Sequence, residues 1–236
     1  MEDALYMKDS YLKEFEAEVV SVSQDKYVVL DRTAFYPNGG GQPYDTGRLI
    51  RDDGEEFKVV YVGKFDGRIS HEVDRPGLKE GDKVKGVIDW ERRYELMRYH
   101  TAAHILSGVF HKECGAKITG NQLDIGKGRI DFNLEEFDRE RIMEYFEKAN
   151  RIVEEDRPVL VSFMSRDDAL KDPDLFKLAG VLPPAVKELR IVEIKDFDRQ
   201  ADGGTHVRST KEVGKIVFVK AENKGKKNRR VYFKLE

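Results

Sequence analysis

Apolar and polar residues alternate along the first third of the chain, and then the period changes. "EFEAEVVSVS", residues 14–23, carries apolar side chains at every second position over its first half, the spacing of a strand with one buried face. "YVVLD" follows across the polar turn "QDK". "TGRLIRDDGEEFKVVYV" places Asp-Gly between two alternating runs, and "KFDGRISHEV" repeats the design at Asp66-Gly67; both are hairpin signals. "GDKVKGVIDW" adds one more strand. Five or six short strands spaced in this way predict a small antiparallel β-barrel over residues 1–89.

From Asp89 the period lengthens. "DWERRYELMRYHTAAHILSGVFHKECG" has no proline, and Leu96, His100, Ala103, His104 and Ser107 fall at helical spacing on one face. Gly115 is the expected stop. "KITGNQLDIGKGRIDFN" returns to strand spacing. "LEEFDRERIMEYFEKANRIVEED" predicts a second long helix, capped by Asn133 with Glu136 three residues on, and buried along Ile142, Phe146, Ala149 and Val153. Strands are expected at "PVLVSFMS", "ELRIVEIKDF", "GKIVFVKAE" and "NRRVYFKLE", the last two as a hairpin around "NKGKK". The predicted fold class is therefore α+β: the barrel, followed over residues 90–236 by an α+β domain with two long helices on an antiparallel sheet.

Composition adds bounds rather than an identity. Of 236 residues, 39% are hydrophobic and 10% aromatic, enough for a real core. Charged residues reach 37%, yet Lys+Arg 42 nearly cancel Asp+Glu 45, so net charge points to no partner. Dense balanced charge of this kind is compatible with surface ion-pair networks. Cys114 is the only cysteine, which rules out an intrachain disulfide and fits an intracellular setting. No stretch approaches the ~20 apolar residues of a membrane span, and the N-terminus has no signal-peptide core. A cytoplasmic protein is expected.

Two pairs of residues carry candidate metal chemistry. His100 and His104 lie four apart on the predicted helix, so both imidazoles face one way, one turn apart. The motif is not HExxH, because position 101 is Thr. His111 lies about 10 Å further along the helix at ~1.5 Å per residue, too far to share an ion. A structural or substrate-facing role is expected for it, and His71 reads as a partly exposed strand residue. The second pair sits in "DRQADGGTHVRST", where Gly203-Gly204 allows a tight turn that folds Asp202 and His206 towards one point. In the first domain "DRTAFYPNGGGQPYDTG" joins Gly39, Gly40 and Gly41 with Thr33, Tyr36 and Gln42, which offer hydroxyl and amide groups to a ligand. It contains neither a dinucleotide fingerprint nor a Walker sequence.

"RTAFYPNGGGQPYDTG", "RYHTAAHIL", "GRIDFN" and "DGGTHV", in that order, resemble the editing domain of alanyl-tRNA synthetase and its free-standing AlaX relatives. With the glycine-loop barrel as well as the HxxxH domain, and without a class II aminoacylation core, the chain is similar to the medium-length AlaX type. The resemblance implies hydrolysis of the ester that links serine or glycine to the terminal ribose of alanine tRNA. It implies a zinc site of the form HxxxH followed by CxxxH, to which His100, His104 and His206 correspond. Asp202 stands where the family usually has cysteine. Aspartate ligates zinc, though a hard carboxylate loosens the preference for zinc over other divalent ions. The alternative is that Asp202 orients a histidine or acts as general base. Within the same resemblance, Thr33 is the candidate for sensing the serine hydroxyl, and Gln42 for holding the substrate or the attacking water. Gly39, Gly40 and Gly41 would approach the substrate.

"KGKKNRR" gathers Lys224, Lys226, Lys227, Arg229 and Arg230, which suits phosphate contacts on the acceptor stem of a tRNA partner. No membrane or DNA partner is expected. Two other functions fit parts of the pattern: a metallohydrolase of small esters or amides, and a non-catalytic RNA-binding module with a structural metal.

Overall fold

The computed structural model describes residues 4–135, 138–178 and 186–236. Two compact units divide the chain at Leu96 and Met97, so the first residues of the long helix pack with the first unit.

The first unit is the expected barrel. Its strands are β1 (Glu14–Ser23), β2 (Tyr27–Leu30), β3 (Gly47–Arg51), β4 (Glu56–Phe65), β5 (Arg68–Val73) and β6 (Lys83–Ile88). They close in the order β1-β2-β5-β4-β3-β6, with β6 returning to β1 through pairs such as Phe15 with Gly86 and Ala17 with Val84. Strand alternation sets the inside: Phe15, Ala17 and Val19 of β1 turn in, where Leu49, Phe57, Val62, Val84 and Phe35 fill the centre. Closure removes the exposed edges that short strands would otherwise present.

The glycine-rich loop leaves this barrel under tight control. Arg93 and Asp45 form an ion pair whose side chains are both 0% exposed. The Arg93 guanidinium also donates to the carbonyls of Ser10 and Ala34, so its charge is answered on several sides. Asp45 in turn accepts from the Tyr36 amide, and the two backbones pair again through Asp45 N–H to Tyr36 O at 3.0 Å. The loop is thus cinched at its base. At its tip Gly39 and Gln42 pair backbone to backbone, and Gly40 and Gly41 turn the chain with φ of 59° and 84°, a region costly for other residues.

The second unit is built on α1 (Trp90–Cys114). Around it lie a four-stranded sheet of order β12-β13-β8-β7 and a three-stranded sheet of order β11-β10-β9. Their strands are β7 (Ile118–Asp124), β8 (Lys127–Phe132), β9 (Val159–Ser165), β10 (Glu188–Ile194), β11 (Asp198–Ala201), β12 (Ile216–Asn223) and β13 (Arg229–Leu235). The strand β11 is not expected from the sequence, because four residues are too few to show a period. Phe110 of α1 stacks on Phe132 of β8 at 4.2 Å, and Tyr99 meets Phe233 of β13. On another side Gly108 lets Phe197 come in: a Cβ there would meet that ring at 2.8 Å. Every residue from Leu96 to Phe110 other than Arg98 is buried, so α1 is a central helix rather than an amphipathic one.

The second long helix, α2 (Arg139–Glu154), buries Ile142, Tyr145, Phe146, Ala149 and Val153 and packs Phe146 on Phe218 of β12. Its cap differs from the expectation. Asp138 accepts from the amides of Glu140 and Arg141, whereas Asn133 exchanges hydrogen bonds with Lys117 beside the β7–β8 pair. A backbone already held in strand-like pairing cannot start a helix. Glu136, the other half of the expected capping box, lies outside the described residues.

His71 corrects a second expectation. It is 0% exposed rather than partly exposed, with Nδ1 3.0 Å from Val28 O and Nε2 2.8 Å from Thr33 Oγ1. Burial pushes its pKa down from 6.5 to about 4, against the opposing effect of the hydrogen bond it makes to the Val28 carbonyl. The folded state therefore binds this proton less readily than the unfolded chain. Its contribution is complete above pH 6.5 and is lost as pH falls towards 4. Denaturant titrations at pH 7 and pH 4 should show about 3 kcal/mol of acid destabilisation from this group alone. His71→Asn should lower stability at pH 7 and flatten that dependence; an equally steep dependence in the variant would refute it.

Candidate metal centre

One turn of α1 separates His100 from His104, and both face the segment that follows β11. There Asp202 and His206 come back onto the helix, so that one ligand atom from each of the four residues lies within 4.8 Å of the others. The imidazole centroids are 4.4 Å apart for His100 and His206, and 4.5 Å apart for His104 and His206. Tetrahedral ligands at about 2.0–2.2 Å from an ion stand about 3.3–3.6 Å from one another. Small side-chain rotations would close the group to that size.

The turn between Asp202 and His206 has a cause in the aspartate itself. Its Oδ2 accepts the Gly204 N–H at 2.6 Å and lies 3.1 Å from His206 Nε2, while Oδ1 lies 3.6 Å from His100 Nε2. One oxygen thus closes the loop and meets His206, and the other lies towards His100. Beneath the loop sits Arg190 of β10, with a side chain only 1% exposed. Its Nη1 donates to the carbonyls of Asp202 at 3.1 Å and Gly204 at 2.9 Å, and its carbonyl accepts the Asp202 N–H. The register of β10 with β11, Ile191 opposite Ala201, is what places this arginine under residue 202.

Electrostatics put the four residues in the protonation state that cations need. Burial depresses the pKa of His206 to about 4, and the neighbouring His100 adds to this against the pull of Asp202. Burial also lowers His104, to well below 6.5, and lowers His100. For Asp202 burial acts in the raising direction, but His100 and the hydrogen bond from His206 outweigh it and hold the carboxyl well below the usual range. At neutral pH the set is three neutral imidazoles and one carboxylate, the form in which these side chains bind metals. His104 adds a sign of its own: its buried Nδ1 has no hydrogen-bond partner among the described residues. An unanswered polar atom in a buried site is costly unless something binds there. The donor set fits a divalent ion.

The glycine loop belongs to the first unit. Gly39 and Gly40 are exposed and Gly41 half-buried, open to a ligand. Thr33 is 3% exposed and Gln42 1%. With His71 Nδ1 hydrogen-bonded to Val28 O, its Nε2 takes the Thr33 hydroxyl hydrogen, while Thr33 Oγ1 accepts the Phe35 N–H at 3.1 Å. One acceptor lone pair remains on Thr33.

Of the basic hairpin, Arg229 departs from expectation. It is 7% exposed, and its guanidinium donates to the side chain of Asn223 and to the carbonyls of Gly225, Asn228 and Glu135, so it ties the hairpin down rather than facing solvent. Arg230 pairs with Asp131 through two hydrogen bonds, Lys224 with Glu222, and Lys227 with Glu135. Lys226 is exposed. His111 is 26% exposed and lies 3.9 Å from Asp174. Sequence reasoning missed Arg190, Thr101 and His71 as supports. Each sits in an ordinary helix or strand pattern, and only register or a crossing element reveals its partner.

Comparison with known proteins places this architecture in a lineage. Residues 4–92 match the family described as tRNA synthetases class II (A), and residues 189–232 match the second additional domain of threonyl and alanyl tRNA synthetases. The alanine–tRNA ligase of Pyrococcus furiosus is 45% identical over 224 residues, 92% of this chain but 24% of the ligase. The alanyl-tRNA editing protein AlaX-M of Saccharolobus solfataricus is 46% identical across 99% of this chain and 98% of its own length. That of Methanosarcina acetivorans is 52% identical across 100% and 99%. Identity of this order, sustained from end to end of both chains, makes the protein a member of the AlaX-M family of alanyl-tRNA editing proteins.

Proposed function

We propose that the protein hydrolyses the ester between a wrongly attached amino acid and the terminal ribose of alanine tRNA, acting in trans in the cytoplasm. Serine is the candidate amino acid, with glycine as a further one. The names of the full-length relatives support alanyl-tRNA editing. The observation that carries the chemistry is the group of three buried histidines, His100, His104 and His206, with the half-buried Asp202.

In this proposal the four side chains hold one divalent ion, zinc in the first instance. Such an ion supplies Lewis acidity towards an ester carbonyl. Asp202 uses Oδ2 to close its own loop, which leaves Oδ1, on the His100 side, as the oxygen offered to the ion. Arg190 keeps the loop carbonyls turned away, so the carboxylate rather than the backbone faces inward. A hard oxygen in place of a thiolate widens the range of ions accepted beyond zinc.

Discrimination against alanine needs a group that answers the serine hydroxyl. Thr33 enters as an acceptor only, since its hydrogen is directed to His71. A serine side chain can donate to the remaining lone pair, and alanine cannot. Gln42 and Gly39 to Gly41 are the loop groups assigned to holding the substrate. For the RNA, Lys224, Lys226 and Lys227 are the contacts proposed at the hairpin tip, with Arg230 behind them.

Purified protein should release serine from seryl-tRNA(Ala) while leaving alanyl-tRNA(Ala) intact; release of neither sinks the proposal, and retained tRNA binding without hydrolysis favours a binding module. Asp202→Asn keeps the shape but removes the charge, so metal affinity measured by chelator competition should fall at least about tenfold. An unchanged affinity would move Asp202 to the role of base. Thr33→Val should reduce the serine-over-alanine preference by about tenfold, the scale of one unsatisfied buried polar contact, with Thr33→Ser restoring it. Changing Lys224, Lys226 and Lys227 together to Gln should flatten the salt dependence of tRNA affinity; an unaltered slope would take the hairpin out of the RNA interface.

A further inference from the structure

Thr101 lies between the two histidines of α1, and in the sequence it served only to exclude a metalloprotease motif. In the structure it is 0% exposed. Its Oγ1 is 3.1 Å from His206 Nδ1 and accepts the Val207 N–H at 3.3 Å. The other nitrogen of the same ring, Nε2, faces Asp202 within the ligand group. One hydroxyl therefore touches both the ring of residue 206 and the backbone that follows it, from the helix that carries His100 and His104.

A ligating imidazole gives one nitrogen's lone pair to the ion, so the opposite nitrogen carries the hydrogen and needs an acceptor. We infer that Thr101 is a positioning residue of the metal centre: its hydroxyl oxygen accepts the Nδ1 hydrogen of His206 and so fixes that ring with the Nε2 lone pair turned into the ligand group. The inference rests on the metal-centre reading above. With the ion bound and Nε2 turned to it, Oγ1 would accept from both the His206 ring and the Val207 amide. Valine has the same shape but no acceptor. It would leave a buried N–H unanswered or let the ring turn over, with Nδ1 towards the ligands. Serine keeps the acceptor and loses only a methyl group.

The full-length Thr101→Val and Thr101→Ser variants test this through metal binding rather than turnover. Zinc affinity, measured by competition with a chromophoric chelator, should fall about 10- to 100-fold in Thr101→Val and stay within a few-fold of the unsubstituted protein in Thr101→Ser. The visible spectrum of the cobalt-substituted protein should change in the valine variant and be retained in the serine variant. Nitrogen NMR of the zinc-loaded unsubstituted protein should show His206 protonated at Nδ1. Valine affinity and cobalt spectrum equal to those of the unsubstituted protein would overturn the role of Thr101 alone. Failure of the unsubstituted protein to take up zinc or cobalt would overturn the metal reading itself. If Thr101→Val does not fold, the NMR assignment decides: a His206 protonated at Nε2 in the zinc-loaded protein overturns the inference.

Discussion

A helix buried on all sides can carry polar side chains only if something else answers them. That constraint organises the second unit. Between Leu96 and Phe110, α1 buries His100, Thr101, His104 and Ser107 among apolar neighbours. Each such group left unpaired costs about 1–3 kcal/mol. The answers come from one short segment after β10: Gln200 reaches Ser107, His206 and Val207 reach Thr101, and Asp202 reaches His100. Of these four residues only His104, at Nδ1, has a buried side-chain atom without a partner among the described residues. The polar ridge that makes α1 expensive to bury is the same ridge that supplies two histidines to a group able to hold a cation.

An aspartate rather than a cysteine at position 202 has physical consequences in this setting. A thiolate has a single sulfur, a weak hydrogen-bond acceptor, with which to meet both the Gly204 amide and the site. A carboxylate has two oxygens and does both, so the turn is closed by the residue that also offers a ligand atom. The cost of a half-buried carboxylate is met by the imidazoles and by Arg190, whose guanidinium lies 3.9 Å away and holds the loop carbonyls. Removing Asp202, His206 or Arg190 would alter the others, because hydrogen bonds through the loop connect them.

The first unit meets a related problem by other means. Its loop from Asp31 to Gly47 has little regular pairing of its own, and a buried Arg93–Asp45 pair holds its base. Thr33 and His71 share a second buried contact near its start. The tip with Gly39 and Gly40 stays exposed while the base is rigid, the combination expected of a loop that meets a ligand.

Much of this was legible in the order of residues. Period-2 alternation and the Asp-Gly turns determined the barrel strands, and fourfold spacing determined that His100 and His104 share a face. The ordered motifs pointed to the family and to the second half of the site. Local patterns could not reveal where α2 starts, because Asn133 loses its capping role to a pairing with Lys117 that is distant in sequence. They could not expose Arg229 as an inward residue, since a run of basic residues looks the same whether it faces water or the carbonyl of Glu135. Nor could they mark Arg190, Thr101 or His71. Each is defined by a partner 12, 105 or 38 positions away, brought near only by strand register or by packing across a buried helix. Local sequence specifies which side chains are available and which way each element presents them. Tertiary structure alone decides which of them meet, because contact between distant positions depends on how separate elements pack.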